Sequence, residues 1–524
     1  MPEDVRMTKA AGIVGAATLL SRIFGFVRDV VVAWFFGAGP AADAFFVAFR
    51  IPNLLRRLFA EGSLTISFIP VFTEHLYKHG REDAFGLARS AWWILTMILA
   101  ALTVIGIIVS PFIVRLIAHG FLALPEKFEL TVLLTRIVFP YIFFIALVAL
   151  SMGILNALGH FAAPAFAPVL LNVAMIGAVL LLSPHLTRPS IGLAVGVIIG
   201  GCLQLGLQIP FLIRKGFHLL VRSPLYHAAI KRIALLMTPA VFGSAVYQIN
   251  IFVGTLLASL LPEGSVSYLY YADRLVQFPL GVFGIALATA VLPSLSKQAA
   301  AGDLEGLRAS FSYALRLVFF ITIPAMTGLI ILREPIVRLL FQRGAFDPAT
   351  TVLTTRAVLY YGLGLWAFSG VRIVVAAFYA LQDTKTPVKI AVVSLLVNIA
   401  LSILLMGPMR HGGLALATSL SSGVNLMLLI HALKKRLGRI GAHDIVRSIF
   451  KSAASAAVMG GVIALAALWA APKCSQSSWY LSAWVFGSVG TGALLYGWCA
   501  SLFRCRELGD MVDMVKAGLR KEDA

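Results

Sequence analysis

Residues 85–118 read FGLARSAWWILTMILAALTVIGIIVSPFIVRLIA, with no charged side chain between Arg89 and Arg115. A helix rises about 1.5 Å per residue, so a run of this length crosses the roughly 30 Å hydrocarbon core of a bilayer. Near its end stands Ile113-Val114-Arg115, and the same tripeptide returns as Ile336-Val337-Arg338. Other marks recur at a similar interval, about 220–226 residues on: Ala157-Leu158 with Pro164 as Ala380-Leu381 with Pro387, Gly192-Leu193-Ala194 as Gly413-Leu414-Ala415, and Pro70 as Pro293. The stretch therefore belongs to a set of membrane helices that occurs twice along the chain.

The composition agrees. Of 524 residues 60% are hydrophobic and 13% charged, and the mean hydropathy is +0.92, whereas a soluble protein carries about 25% charged residues. The fold class is an all-α polytopic membrane protein. No polar stretch is long enough for a separate soluble domain, and the apolar segment after the short charged start (Met1 to Lys9) is too long, and lacks the small-residue site, for a cleaved signal peptide. Fourteen transmembrane helices are expected, over 10–36, 42–77, 85–118, 128–158, 163–184, 189–214, 228–260, 265–298, 306–332, 349–381, 386–407, 411–436, 446–471 and 478–503. Gly37-Ala38-Gly39-Pro40, Pro262-Glu263-Gly264, Gly407-Pro408 and Gly412-Gly413 punctuate them. The repeat implies two six-helix lobes, 1–218 and 219–440, in the same orientation about an axis along the membrane normal. Residues 441–524 add two helices outside the repeat and a short amphipathic surface segment, Glu507 to Leu519, with Leu508, Met511, Val512 and Val515 on one side.

The net charge of +20 is divided among short loops, which encodes topology rather than nucleic-acid binding. One set of alternate loops holds Lys78, Arg81 and Arg89; Arg214, Lys215, Arg222, Lys231 and Arg232; Lys385 and Lys389; and Lys434, Lys435, Arg436, Arg439, Arg447 and Lys451. Both termini fall on that side and are expected to be cytoplasmic, while the opposite loops are nearly bare. Residues 333–348 dissent, with Arg333, Arg338 and Arg343 on the expected outer side, as a short surface helix would explain. Cys202, Cys474, Cys499 and Cys505 have no CxxC spacing, and the ten histidines scatter mostly along loop edges, so no metal site is expected. No P-loop, GxSxG or nucleophile–base pattern is present, and the chain reads as a non-enzyme without a cofactor.

Six arginines interrupt apolar segments: Arg22, Arg28, Arg50, Arg56, Arg57 and Arg274. An arginine at the bilayer centre costs roughly 2.5–3.5 kcal/mol, so a chain keeps it where it faces a wet cavity or a partner. Arg22 and Arg28 lie about 9 Å apart along one helix and some 120° apart around it. Guanidinium forks grip phosphate bidentately and stay charged, so convergent arginines suggest an anionic substrate. The competing reading places them at membrane edges, paired with Asp29, Asp43, Glu61 and Asp273 to fix topology, and it weighs most for Arg50 and Arg57. Asp43 reads equally as a ligand or as a helix N-cap. Arg316 and Arg372 read as snorkelling or interhelix pairs, Glu61-Gly62 as a bend, and Asn172, Gln204, Gln248, Asn250 and Asn398 as interhelical hydrogen-bonding residues.

The blocks SRIFGFVRD (21–29), GAGPAADAFFVAFRIPNLLRRLFAEG (37–62) and SVSYLYYADRLVQFPLGVFGIALATAVLPSLS (265–296) closely resemble the MurJ (MviN) family, as do FPYI (139–142), PAFAPVLLN (164–172) and QDTKTPVKIA (382–391). The resemblance covers essentially the whole chain. It implies the MOP exporter fold, two six-helix lobes around a central cavity, with the last two helices forming a groove for a polyprenyl tail. It also implies alternating-access flipping of lipid II, undecaprenyl diphosphate carrying GlcNAc-MurNAc-pentapeptide, across the bacterial cytoplasmic membrane. The positions matching the family's essential arginines are Arg22, Arg28, Arg56 and Arg274, with Asp43 an important aspartate; Asp29, Asp273, Arg57 and Glu61 are expected in gating or ion-pair roles. Membrane lipids and the cell-wall synthesis and division machinery are the expected partners, and the sequence names no coupling ion. A flippase for another polyprenyl-diphosphate saccharide, or a non-transporting scaffold of wall synthesis, would present a similar sequence. A cation-exporting relative would need an acidic cavity instead.

Overall fold

The computed structural model describes residues 3–56, 64–219, 221, 226–474, 477–511 and 513, and every regular element among them is helical. The chain forms two compact units, Met1–Ser267 with Gly344–Phe346, and Tyr268–Arg343 with Asp347–Ala524.

The first unit contains α1 (Glu3–Phe36), α2 (Pro40–Leu55), α3 (Thr65–Lys78), α4 (Arg81–Ile117), α5 (Pro125–Val138), α6 (Tyr141–Ala157), α7 (Ala162–Gly177), α8 (Ser190–Arg214) and α9 (Ala229–Ser259). Gly37 ends α1 in a left-handed conformation with φ +59°, as a helix C-terminus favours. A Cβ there would collide with the carbonyl of Ala345, whose N–H donates to Trp34 O at 2.9 Å. The short segment Gly344–Phe346 thus joins this unit through the end of α1. Its core is built from α3, α4, α6 and α8, where Phe68, Phe72, Leu87, Leu150 and Leu212 are buried.

The second unit contains α10 (Ser265–Pro279, which starts at the boundary), α11 (Ala286–Ala300), α12 (Leu304–Ile331), α13 (Arg333–Phe341), α14 (Pro348–Gly362), α15 (Leu365–Ala380), α16 (Lys385–Met409), α17 (His411–Leu437), α18 (Ala442–Cys474) and α19 (Ser478–Leu502). Phe311, Val318, Val374, Phe378 and Leu433 form its core. α18 and α19 pack with α12, and Tyr496 Oη of α19 donates to Phe320 O at 2.7 Å.

The internal repeat is visible in element order. The helices α2 and α3 correspond in order to α10 and α11, which a π-helical stretch, Leu280–Ile285, joins. Each pair is followed by a long helix and a short one: α4 with a 3₁₀ turn at His119–Ala123, and α12 with α13. Then come the pairs α5–α6 and α14–α15, and the single helices α7 and α8 against α16 and α17. Two expected spans, 128–158 and 349–381, are therefore each two helices. Phe139-Pro140 separates the first pair and Leu363-Gly364 the second, which bends by 41°. The basic 333–348 loop holds the nine-residue helix α13.

Among the described residues ten helices are long and apolar enough to cross a membrane, or eleven with the bent α14–α15 pair as one span. The other segments that the sequence reading counts as crossings are α1, α2–α3 and α9. In α1 the charges Arg22, Arg28 and Asp29 lower the hydropathy. Undescribed residues separate α2 from α3, and the apolar stretch described in α9 is the shorter Ala245–Ser259.

Candidate functional site

α1 runs unbroken through its charged stretch. At Arg28 the guanidinium donates to Asp29 Oδ1 from Nε at 3.1 Å and from Nη2 at 2.7 Å, and from Nη1 to Asn172 Oδ1 at 3.0 Å. Asn172 of α7 completes the arrangement by donating from Nδ2 to Ser21 O at 3.3 Å and Pro168 O at 3.2 Å. The Arg28 and Asp29 side chains are 12% and 5% exposed. One asparagine thus fixes both the arginine fork and the packing of α1 on α7. Arg22, six residues earlier, is exposed and makes no ion pair among the described residues.

In α2, Arg56 follows the helix end and donates from Nε to Asn53 Oδ1 at 3.0 Å. Arg50 donates from Nη1 to Thr255 Oγ1 of α9, an interhelix bond of the kind the edge-pairing reading anticipates. Arg57 and Glu61 lie outside the described residues. In the second unit, Arg274 stacks over the Tyr270 ring at 4.7 Å, and Asp273 accepts from Gln277 Nε2 at 3.2 Å. Both are one-turn contacts along α10, as side chains four apart on a helix should make. Arg316 pairs with Glu507 at 3.2 Å, an interhelix partner of the type expected for it.

Asp43 is buried and does not cap α2, whose N-cap is Gly39. Its carboxylate accepts from Lys127 Nζ (2.7 Å), Gly264 N (2.8 Å), Ser267 N (2.9 Å) and Ser267 Oγ (2.6 Å). Gly264 and Ser267 are at the opening of α10, where amide groups lack intrahelical partners and attract negative charge. Asp43 therefore caps α10 from a distance. Lys127, itself buried, lies over the Phe121 ring at 4.2 Å. Sequence reasoning missed this lysine. Its signal was position: it stands in the first turn of α5, where the helix dipole disfavours a cation unless an acid holds it.

Near α3 a different set gathers. Asp83 in the first turn of α4 meets His75 Nδ1 of α3 at 2.6 Å and His227 Nε2 at 3.2 Å. The His75 ring also packs against His79 at 5.0 Å between centroids. The histidines read from the sequence as scattered, yet His75 and His79 are four apart, and that spacing was the available signal.

A family model described as lipid II flippase MurJ matches residues 32–489. A probable lipid II flippase MurJ of Vibrio cholerae is 40% identical over 502 residues, 94% of this chain and 95% of the relative. A solved structure of lipid II flippase MurJ in an inward closed conformation aligns with TM-score 0.79 and 28% identity, over 94% of this chain and 98% of the other. An inward-facing multidrug resistance MATE transporter of the MOP superfamily aligns with TM-score 0.69 at 15% identity, over 82% and 98% of the two chains, and shows the fold alone.

Proposed function

Because the chain belongs to the lipid II flippase MurJ family, we propose that it is a transporter, not an enzyme, and that it moves lipid II from the inner to the outer leaflet of the bacterial cytoplasmic membrane. Both termini are on the cytoplasmic side, and the chain crosses the membrane fourteen times. The lobes 1–218 and 219–440 alternate in opening to the two faces, while α18 and α19 accompany the polyprenyl tail in lipid.

Arg22, Arg28 and Arg56 bind the diphosphate, and Arg274 is a further ligand. The observation that carries this reading is the held Arg28 fork on an otherwise apolar helix. Asp29 and Asn172 fix its plane, which reduces the side-chain entropy lost when an anion is gripped. A diphosphate can take over the place that Asp29 occupies. Asp29 and Asp273 act as resting counter-charges, and Arg57 and Glu61 contribute to gating. Asp43 acts by holding the start of α10, since a carboxylate would repel the diphosphate. With the membrane interior-negative, carrying about two negative charges outward gains roughly 4–5 kcal/mol per 100 mV, at about 2.3 per charge, provided that the arginines stay behind. The partners are lipid II, membrane lipids and the cell-wall synthesis and division machinery.

The test is translocation of labelled lipid II in bacterial cells depleted of their native flippase, with a second polyprenyl-diphosphate saccharide as comparator. Restored lipid II transport is the expected result. Transport of the comparator alone would reassign the substrate, and transport of neither, with normal membrane insertion, would turn the reading to a scaffold.

A further inference from the structure

The His75, Asp83 and His227 cluster contains none of the arginines assigned above to anion binding. Its ligand atoms, one imidazole nitrogen from each histidine and a carboxylate oxygen, all lie within 4.8 Å of one another. The His75, Asp83 and His227 side chains are 16%, 39% and 19% exposed, enough shelter to hold a shape and enough opening to admit an ion and water. The nearby cations are already engaged: Lys78 Nζ donates to Glu74 Oε1 at 3.0 Å and Arg232 Nη1 to Glu74 Oε2 at 2.8 Å. Asp83 is left to the two imidazoles.

We propose that these three residues form a divalent transition-metal site, best suited to zinc, that fastens α3 and α4 to the segment entering α9. Two neutral imidazoles and one carboxylate are a donor set that zinc favours, with a fourth position for water. Tetrahedral zinc, with bonds of about 2.0–2.1 Å, spaces its ligand atoms about 3.3 Å apart; His75 now meets Asp83 Oδ2 at 2.6 Å and His227 meets Asp83 Oδ1 at 3.2 Å, so side-chain rotations must bring one of these oxygens and both ring nitrogens around the metal. Metal loading displaces the protons now shared between each ring and Asp83, and they leave to solvent. At His227 the remaining ring proton then sits on Nδ1, so the long 3.2 Å bond that Nδ1 accepts from Ala229 N is given up. His79, whose ring lies 5.0 Å from that of His75 and tilted to it, is close enough to supply the fourth donor after a rotamer change.

In the bare protein the cluster is a hydrogen-bonded bolt between helix ends, and a purely structural bolt is the alternative that the experiment must separate. The full-length protein in detergent or nanodiscs is stripped with chelator and titrated with zinc chloride against a chromophoric competitor, and in parallel with cobalt(II). The expected result is one zinc per chain, a cobalt spectrum with the d–d bands of a four-coordinate site, and a melting temperature that zinc raises. His75→Gln and His227→Gln each weaken zinc binding tenfold or more and remove the thermal shift, whereas His218→Gln in the exposed loop leaves both unchanged. Either variant suffices if the other fails to fold, and the wild-type cobalt spectrum stands without them. No stoichiometric zinc on the wild type, or binding that both glutamine variants retain, overturns the proposal. Neither result depends on whether the protein flips lipid II.

Discussion

Two carboxylate–cation pairs in the first unit have the same 2.7 Å separation and opposite characters. At Asp43–Lys127 the anion is saturated: a lysine, two backbone N–H groups and a hydroxyl all point at it, and the pair is 2% and 5% exposed. At Arg28–Asp29 the guanidinium donates to the acid beside it and to the Asn172 amide oxygen, with Arg22 exposed further along the same helix. The first arrangement has no place for an incoming ion and can only hold helices together. The second is the pair at which we propose that an incoming anion takes the place of the carboxylate. Charge inside a membrane protein is therefore not by itself a functional mark.

The contrast breaks most visibly at the closed pair. Lys127→Met leaves a buried carboxylate without its cation and should lower unfolding stability by about 3–5 kcal/mol, read from the midpoint of a detergent unfolding titration. An unchanged midpoint would mean that Asp43 does not depend on the lysine. At the open pair, Arg28→Gln keeps an amide donor for Asp29 and Asn172 and should cost only about 1–2 kcal/mol in the same titration; a loss as large as that of Lys127→Met would make Arg28 a structural residue too.

Smaller effects calibrate the scale. Asp383 precedes α16 and accepts from Thr386 N (3.0 Å), Thr386 Oγ1 (2.8 Å) and Arg436 Nη1 (2.7 Å). The Thr386 N–H, ahead of the Arg436 charge, holds its carboxyl below the ordinary range. A depressed acid contributes stability that is present above its unfolded pKa and lost as pH falls through its folded one. Asp383→Ala should thus cost about 1 kcal/mol at neutral pH, and the difference from wild type should fade on acidification below the ordinary carboxylate range; a constant difference down to low pH would contradict the charge assignment. Least of all, Lys78→Ala removes an exposed pair four residues apart and should leave the unfolding midpoint unchanged within error. A clear shift of the midpoint there would show that exposed pairs in this protein are not the weak contacts they are elsewhere.

Much of the fold was legible because a bilayer imposes long apolar runs and because proline and glycine interrupt both halves at matching places. The breaks within 128–158 and 349–381 were not, since Phe139-Pro140 and Leu363-Gly364 lie inside hydropathy that never falls. The arginines of α1 stood out against apolar neighbours. Their restraint by Asn172, 144 residues away from Arg28, did not, because hydrogen-bond partners across a helix pair leave no local pattern. The same holds for Lys127, His227 and Glu507. The C-terminal segment read as amphipathic and superficial, but Leu508 and Met511 pack on the second unit's core, and Glu507 is buried, accepting from Arg316 and from Ser448 Oγ at 3.0 Å. An acid next to an apolar stripe is ordinarily solvated, and only the half-buried Arg316, far away in the chain, reverses that.

The decisive measurement is lipid II translocation by purified protein in proteoliposomes, comparing wild type with Arg28→Ala at equal membrane abundance. Transport by the wild type and none by the variant is the predicted result. Transport by Arg28→Ala at the wild-type rate would contradict the assignment of Arg28 as an anion ligand.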